Sequence, residues 1–565
     1  MSPYKIKIED RSYESYKIVI ASTLSYIEKK VDPIKNKLFN HDVFSLDEKN
    51  CPEILHSTVR STPNIPGVLV LDTKRIYGKI KNKFLYKIIP DDKRLPEFLV
   101  PYNKKIVFNK KIYNKYVVFR YKHWNNKHPI AILDQVLGDV NVLDNFYEYQ
   151  LYCKSLYASI QDFTKKTLNK LKKRSEEEFV ETIIEKYKPI DRRDWKVYSI
   201  DPPKSKDFDD AFSFKETETK IYLSIYISNV PFWMDILELW DSFSQRISTI
   251  YLPNRKRPML PTILSDAICS LQENRIRFAF TLDLVFNKEY ELLDYSYQNT
   301  CIRVRKNYRY ETDELKNLLL YKRLFVFIKK LNRKQKYVDN INTSHDLIAY
   351  MMIYMNYLSA KTMIKHKVGI FRCAELNPNF KCPEKTSDDI KKFLKQWNSY
   401  GGTYVKQNEK KGHQILELDS YIHITSPIRR LVDLLNIMEL QDTLGLKKFN
   451  NNSSMFHNYW TSEEKIEYIN RTMKSIRKVQ NSCELLRICV EDNLEKKKIY
   501  DGFIFDKMLR NDGLIQYMIY LPEIKMVNRL TTRHDKENLK NYKFKLFTFT
   551  NESNLKRKIR VEFEL

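Results

Sequence analysis

From Gly67 to about Asp139 the apolar residues come in short bursts, GVLVLDT, RIYGKI, FLYKII, KIVFN and KYVVFRY, divided by Lys, Asn, Pro and Asp. Short alternating runs broken by turn formers predict the strands of a small β-barrel, of which the OB type is one solution. Between Asn145 and Lys188 the spacing becomes helical and stops near Pro189. WKVYSI then predicts a strand that delivers Asp201, and IYLSIYIS (Ile221 to Ser228) alternates with period two, as a half-buried strand would. Helical spacing dominates from Glu311 to Glu491. Ser426-Pro427 predicts one helix start, with Ser as the cap, Pro in the first position and Gly445 as the stop. Thr461 followed by Glu464 predicts a capping box, opening a helix through Ile466, Ile469, Met473, Ile476, Val479, Cys483, Leu486 and Val490. Past the charge run Glu495 to Lys498, YDGFIFDKM, LIQYMIYLP, YKFKLFTF and IRVEFEL predict a second small barrel. No period of about 20 to 50 residues recurs, which argues against a solenoid.

A length of 565 residues suits roughly three or four domains. Lys and Arg number 99 against 71 Asp and Glu, a net charge of +28 that points to a polyanionic partner. The 38 Tyr and 30 Phe interleaved with those cations suit a single strand, whose bases stack on rings while its phosphates meet Lys and Arg. An AT-rich genome would also enrich Lys, Asn, Ile and Tyr and leave Gly at 10, so charge alone does not decide. The eight cysteines form no CxxC pair; the nearest neighbours, Cys483 with Cys489 and Cys373 with Cys382, do not read as metal sites, and buried thiols in a reducing compartment are expected. The beginning of the chain lacks an apolar signal core, and the most apolar stretch, Leu347 to Leu358, is short and interrupted by Asn356. A soluble, intracellular and cytoplasmic protein is expected. A membrane-surface role would need a basic amphipathic anchor that is not evident.

The candidate chemistry lies in Ser199-Ile-Asp-Pro-Pro-Lys-Ser-Lys-Asp-Phe-Asp-Asp-Ala-Phe-Ser-Phe214, which gathers Asp201, Asp207, Asp209 and Asp210 within ten residues. Pro202 and Pro203 cannot continue a ladder, so the chain must turn there and bring the later aspartates back toward Asp201. Packed carboxylates repel unless cations neutralise them, and hard oxygen donors favour Mg²⁺ or Mn²⁺ over zinc. Two such ions about 4 Å apart would stabilise both the attacking and the leaving oxygen of a phosphodiester hydrolysis. A solvated acidic loop is the competing reading; a calcium loop is disfavoured because the run contains no Gly.

At these residues the chain resembles the catalytic domain of the ribonuclease II and ribonuclease R family, whose D-P-x-x-x-x-D-x-D-D pattern is matched from Asp201 to Asp210. Further matches are Tyr251-Leu-Pro-Asn-Arg-Lys-Arg-Pro-Met-Leu-Pro261 with Leu264-Ser and Cys269-Ser-Leu271, and Tyr421-Ile-His-Ile-Thr-Ser-Pro-Ile-Arg-Arg-Leu-Val-Asp-Leu-Leu435. Ile88 to Pro96 and Trp124 to Val140 resemble the family's cold-shock-like OB domain. The resemblance implies an α+β chain with a central mixed α/β RNB catalytic domain flanked by small OB-type β-barrels. Its expected parts are an N-terminal extension or degenerate first barrel (1–60), a cold-shock/OB-like domain (61–145), a helical connector (146–194), the RNB domain (195–494) and a divergent OB-type tail (495–565). The implied activity is processive, Mg²⁺-dependent 3′-to-5′ hydrolysis of single-stranded RNA to nucleoside 5′-monophosphates by a monomer, with Mn²⁺ as the alternative ion.

Carried over by position, Asp201, Asp207, Asp209 and Asp210 resemble metal ligands, and Asp209 also resembles the aspartate whose loss abolishes cleavage. Arg429 resembles the arginine at the scissile region, with Arg430 beside it as an RNA contact, and Tyr251 resembles a tyrosine near the terminal base. An ion pair with Asp433 is the competing role for Arg429 or Arg430, and core packing for Tyr251. The chain departs from the family pattern at Leu347-Ile-Ala349-Tyr350 in place of an acidic pair, at Ala374 in place of a histidine, at Gln480 in place of a Glu and at Asn229 in place of a frequent Asp. A catalytically silent RNA-binding subunit is the alternative reading of the whole chain.

Overall fold

The computed structural model describes residues 3–73, 75–103, 112–378, 386–399, 401–409, 412–493 and 499–564. The expected strand KIVFN, Cys382 and the charge run Glu495 to Lys498 lie outside these residues. The chain divides into two compact units, residues 1–157 with 252–254 and 477–565, and residues 158–251 with 255–476.

In the first unit, β1 (Tyr4–Ile8), β2 (Tyr16–Ile20), β3 (Tyr26–Ile27), β4 (Val43–Leu46) and β5 (Pro52–His56) form a sheet in the order β3-β2-β1-β4-β5. Residues 3–60 thus fold as a sheet, and its Ile6, Ile18, Phe39 and Phe44 share one core with Phe98 and Trp124 of the residues that follow. The next strands, β6 (Ile65–Leu69), β7 (Lys79–Ile80), β8 (Lys83–Pro90), β9 (Phe98–Tyr102), β10 (Lys115–His123) and β11 (Ile130–Asp139), close on themselves. β6 pairs with both β8 and β10, β8 with β9, β10 with β11, and β9 with β11 in parallel. That ring, with one parallel pair among antiparallel ones, is the five-stranded Greek-key barrel of the OB type. Helix α1 (Leu143–Cys153) follows in the first unit; α2 (Gln161–Leu171) and α3 (Glu176–Tyr187), the last opened by a Ser175/Glu178 capping box, belong to the second.

The second unit is built on a closed barrel of β12 (Ile190–Asp201), β13 (Asp210–Glu216), β14 (Ile221–Ser228), β17 (Ile276–Phe286) and β18 (Leu292–Arg309). Between β14 and β17 lie α4 (Val230–Ile236) and the short hairpin β15 (Ile250–Tyr251) with β16 (Lys256–Arg257). β14 is buried along its whole length except at Tyr222, not half-buried as its alternation predicts. One face carries Tyr226 into the barrel interior with Val197, Ala211, Ala279 and Ile302. The other face, Leu223, Ile225 and Ile227, shares a core with α5 (Leu319–Lys334) and α6 (Ser344–His366). A strand covered on both sides has no solvent face to pattern.

Next come the paired strands β19 (Ile370–Cys373) and β20 (Thr403–Lys406), then α7 (Leu431–Thr443), α8 (Asn451–Trp460) and α9 (Glu463–Asn493). Two helix starts differ from expectation. α7 begins after Arg430 rather than at Ser426-Pro427, because Asp433 turns back to accept the Ser426 N–H (2.8 Å) and holds residues 426–430 as a separate turn. Thr461 ends α8, its hydroxyl donating to the His457 carbonyl, so α9 starts two residues later at Glu463. Within the first unit the tail strands β21 (Ile499–Leu509), β22 (Ile515–Leu521), β23 (Met526–Thr532), β24 (Asn541–Asn551) and β25 (Lys556–Phe563) take the order β23-β22-β21-β24-β25. This repeats the order of the N-terminal sheet. Among the described residues no helix is long and apolar enough to cross a membrane.

A buried ion pair ties the segment just after α7 to α4: Lys447 Nζ lies 2.8 Å from Asp235 Oδ2, both side chains 2% exposed. Asp235 also accepts from the Tyr187 hydroxyl (3.1 Å) and the Trp240 indole. Lys447→Met leaves that carboxylate uncompensated and should cost ~3–5 kcal/mol, read as a lower urea midpoint. Lys447→Met with Asp235→Leu should recover most of the loss.

Candidate active site

The barrel sets the aspartates together by register. β12 runs parallel to β18 with Asp201 opposite Arg309, and β13 starts at Asp210, antiparallel to β12. The loop 202–209 therefore leaves and returns at one end of the barrel. Its shape is held by the Cys269-Ser-Leu271 segment: Ser270 Oγ accepts the Phe208 N–H (3.0 Å) and donates to the Lys206 carbonyl (2.8 Å), while the Leu271 N–H donates to the Phe208 carbonyl (3.0 Å). The Phe208 side chain is buried, and the Ser228 N–H donates to the Asp209 carbonyl (2.9 Å). A phenylalanine anchor between two acids thus turns both acids toward the barrel end.

Asp201 and Asp209 are 8% and 4% exposed, so the cluster is not a solvated acidic loop. Asp201 accepts from the Ser199 hydroxyl (2.9 Å). Asp209 accepts the Ile428 N–H at Oδ1 (2.9 Å) and the Arg429 Nε–H at Oδ2 (3.2 Å). Asp207 accepts from Lys256 Nζ (2.9 Å). Burial and then the charges of Asp209 and Asp207 push Asp201 above the usual carboxylate range. Burial and Asp201 do the same to Asp210. Asp209 is pushed up to about 7 by burial with help from Asp207 and Asp210, against the opposing pull of Arg429 and the Ile428 N–H. Each of these carboxylates is raised by at least one of the others, which is the electrostatic signature of acids sharing one space.

The turn 425–430 supplies the cationic wall. The Arg429 and Arg430 N–H groups donate to the Ser426 carbonyl, the Thr249 N–H donates to the Arg429 carbonyl (3.0 Å), and Arg429 Nη2 donates to Ser426 Oγ (2.9 Å). Arg429 is thus aimed from a turn and not from the first turn of a helix. Its partner is Asp209; Asp433 pairs instead with Arg430 (Nη2 to Oδ1, 2.9 Å), so Arg430 serves the turn rather than the acids. Tyr251 is 45% exposed and is not a core residue; it lies near enough to Asp207, Asp209 and Arg429 to feel their charges.

Three neighbours of the cluster went unread in the sequence. Tyr310 follows β18 and donates its N–H to the Asp201 carbonyl (3.1 Å); burial, and then Asp210 and Asp201, push its phenol's pKa up. Lys256 and Asp266 form a second ion pair (2.9 Å) beside Asp207. Tyr310 is more than a hundred positions from Asp201 and carries no local signal; Lys256 sits inside a quoted motif, and hairpin alternation with Tyr251 could have found it.

The departures have structural homes. Asn229 is buried among amides, donating to Asn299 Oδ1 (3.0 Å) and accepting from Gln441 Nε2 (3.2 Å), so it belongs to an uncharged network. Leu347, Ile348 and Tyr350 are core residues of α6. The same helix carries Asn356, which accepts the Ile424 N–H (3.0 Å) and donates to the Tyr421 hydroxyl (2.9 Å) ahead of the arginine turn. Ala374 is buried and Gln480 lies on α9.

The donor set fits a hard divalent ion: it is all carboxylate, partly buried and mutually repelling. Among the described residues no group of three or more His, Cys, Asp or Glu side chains is already drawn together to hold one. Ion binding would have to contract the cluster. Without metal, the raised carboxylates stabilise the fold while protonated, and that contribution is lost as pH rises through Asp209's value of about 7. In EDTA, Asp209→Asn should therefore melt increasingly above the wild type as pH goes from about 5 to about 8, a gap that Mg²⁺ closes.

The RNB domain matches residues 190–319 and 319–445, and the Dis3-like cold-shock domain 2 matches residues 85–147. Ribonuclease R of Chlamydia pneumoniae is 28% identical over 313 residues, 43% of this chain and 46% of that protein. Ribonuclease R of Buchnera aphidicola (subsp. Schizaphis graminum) is 27% identical over 349 residues, 48% and 47% of the two. The matched part of the chain thus spans about half the length of these curated relatives. The fold is similar to that of Mycoplasma genitalium RNase R in complex with ribose methylated single-stranded RNA, with a TM-score of 0.70 at 17% identity, covering 99% of this chain and 100% of that one. It is also similar to yeast Ssd1, a pseudonuclease, with a TM-score of 0.59 at 13% identity over 97% and 81% of the chains. With a Dis3-like cold-shock domain 2 ahead of it, the segment 190–445, whose acids meet at one barrel end, is an RNB domain.

Proposed function

We propose that this chain is a divalent-metal-dependent exoribonuclease that hydrolyses single-stranded RNA from its 3′ end to nucleoside 5′-monophosphates, with Mg²⁺ as the ion. The observation that carries the reading is the convergence of Asp209 with Arg429 among three further aspartates at one barrel end. A silent protein gains nothing from burying carboxylates that repel one another. Asp201, Asp209 and Asp210, with Asp207 beside them, are the residues that would hold the ion. When bound, it supplies Lewis-acid polarisation of the phosphodiester and lowers the pKa of an attacking water.

The side chains divide the remaining work. Arg429, fixed by Ser426 and Asp209, presents a guanidinium that can grip a phosphate oxygen and offset charge as it develops. The exposed ring of Tyr251 offers a stacking face for the terminal base, which fixes the strand end against the acids. The relatives named ribonuclease R and the M. genitalium enzyme seen with single-stranded RNA support this substrate class.

One observation favours a second reading, an RNA-binding subunit without activity. Asp207 and Asp209 are already engaged by Lys256 and Arg429, and a pseudonuclease shares the fold.

Incubation with 5′-labelled single-stranded RNA and Mg²⁺ separates the two. The enzyme yields a ladder shrinking to a short core with nucleoside 5′-monophosphate as product; retarded but full-length RNA supports the silent subunit. Asp209→Asn should abolish cleavage while RNA affinity stays within about twofold. Arg429→Ala should lower kcat by about 10²–10³, the usual cost of losing a donor to developing charge.

A further inference from the structure

Lys256 is gripped from both ends. Its backbone sits in β16 directly opposite Tyr251 of β15, and side chains opposed across an antiparallel pair share one face. Its ammonium lies 2.9 Å from Asp207 Oδ1 and 2.9 Å from Asp266 Oδ1. Asp266 is itself fixed: it accepts from the Ser265 hydroxyl (2.5 Å), and its backbone carbonyl accepts from Gln272 Nε2 (2.7 Å). The three side chains are 25%, 12% and 19% exposed, so water screens the contacts only in part.

We propose that Lys256 is a resident cation of the aspartate cluster, standing on Asp207 in place of a second divalent ion, so that the site takes one ion on the side of Asp201 and Asp210. This inference rests on the metal-dependent nuclease reading and says how that site is charged. Displacing the ammonium from Asp207 by a metal would leave a partly buried Lys with Asp266 as its one carboxylate partner and a divalent charge beside it, a costly exchange in a partly dehydrated pocket. Asp201 and Asp210 are less fully neutralised: Asp201 accepts from a serine hydroxyl, and the attraction of Arg309 for Asp201 and of Arg429 for Asp210 is outweighed by burial and by the neighbouring carboxylates. An ammonium has three N–H donors, of which Asp207 and Asp266 take two. The third is available to a phosphate oxygen on the face that Tyr251 shares. Lys256 then neutralises Asp207, orients it, and meets the terminal phosphodiester together with Arg429.

The test counts Mn²⁺ bound to the full chain without RNA, by electron paramagnetic resonance and by calorimetry. One tightly bound ion in the wild type and in Lys256→Arg, rising to two in Lys256→Met, is the expected result. Two ions in the wild type overturn the proposal, as does a count of one that Lys256→Met leaves unchanged. The wild-type count decides even if the Met variant fails to fold. With RNA, Lys256→Met should lower kcat by about tenfold or more, and Lys256→Arg should restore most of it. Failure here is distinguishable from failure of the nuclease reading. A wild type that cleaves RNA with two ions removes only the role of the lysine; one that binds a single ion and never cleaves removes only the nuclease.

Discussion

Four carboxylates crowded at one end of a barrel repel each other, and most of the second unit can be understood as the scaffold that makes them stay. At an effective dielectric of about 20, two unit charges roughly 4 Å apart oppose each other by ~4 kcal/mol. The parallel pairing of β12 with β18 fixes where Asp201 ends, and β13 fixes where Asp210 begins. Phe208 is pinned by Ser270 and Leu271, so the loop cannot swing its acids outward. The Ile428 amide, Arg429 and Lys256 then return part of the lost hydration as directed donors. What remains unneutralised is the affinity for a divalent ion.

The arginine wall shows how far from the acids that scaffold extends. Asn356 on α6 holds Ile424 and Tyr421, Asp433 on α7 holds Ser426 and Arg430, and the resulting turn presents Arg429 to Asp209. Two helices, α6 and α7, converge on one turn to aim one guanidinium. The amide network of Asn229, Asn299 and Gln441 is of the same kind but uncharged, which explains why an Asn there costs the cluster nothing. The amide N–H groups of Asn229 and Gln441 donate within the network, to Asn299 and Asn229, while the buried Gln441 Oε1 accepts none among the described residues.

The flanking sheets of the first unit add a different kind of regularity. The N-terminal and C-terminal sheets share one strand order, and the barrel between the N-terminal sheet and α1 closes the same order with a parallel pair. The strands of residues 4–56 are short, and even the alternating Tyr4-Lys-Ile-Lys-Ile8 is only five residues long, too brief to mark a sheet by periodicity. Their core becomes visible only when Phe39 and Phe44 are seen to pack with Phe98 and Trp124.

By itself the sequence determined the local things: the strand into Asp201, the turn forced by Pro202 and Pro203, the strands of the tail though not their closure into a barrel, and the three motifs by which the family is recognised. These depend on neighbours within a few residues, where periodicity and turn chemistry act. Only the tertiary structure decided that Arg429 meets Asp209 and Asp433 meets Arg430, that Tyr310 and Lys256 flank the acids, and that β14 is covered on both faces. Those outcomes turn on contacts between residues as many as 220 positions apart. Several side chains there could satisfy one charge, and only the closed barrel, by bringing particular ones within hydrogen-bonding reach, chooses among them.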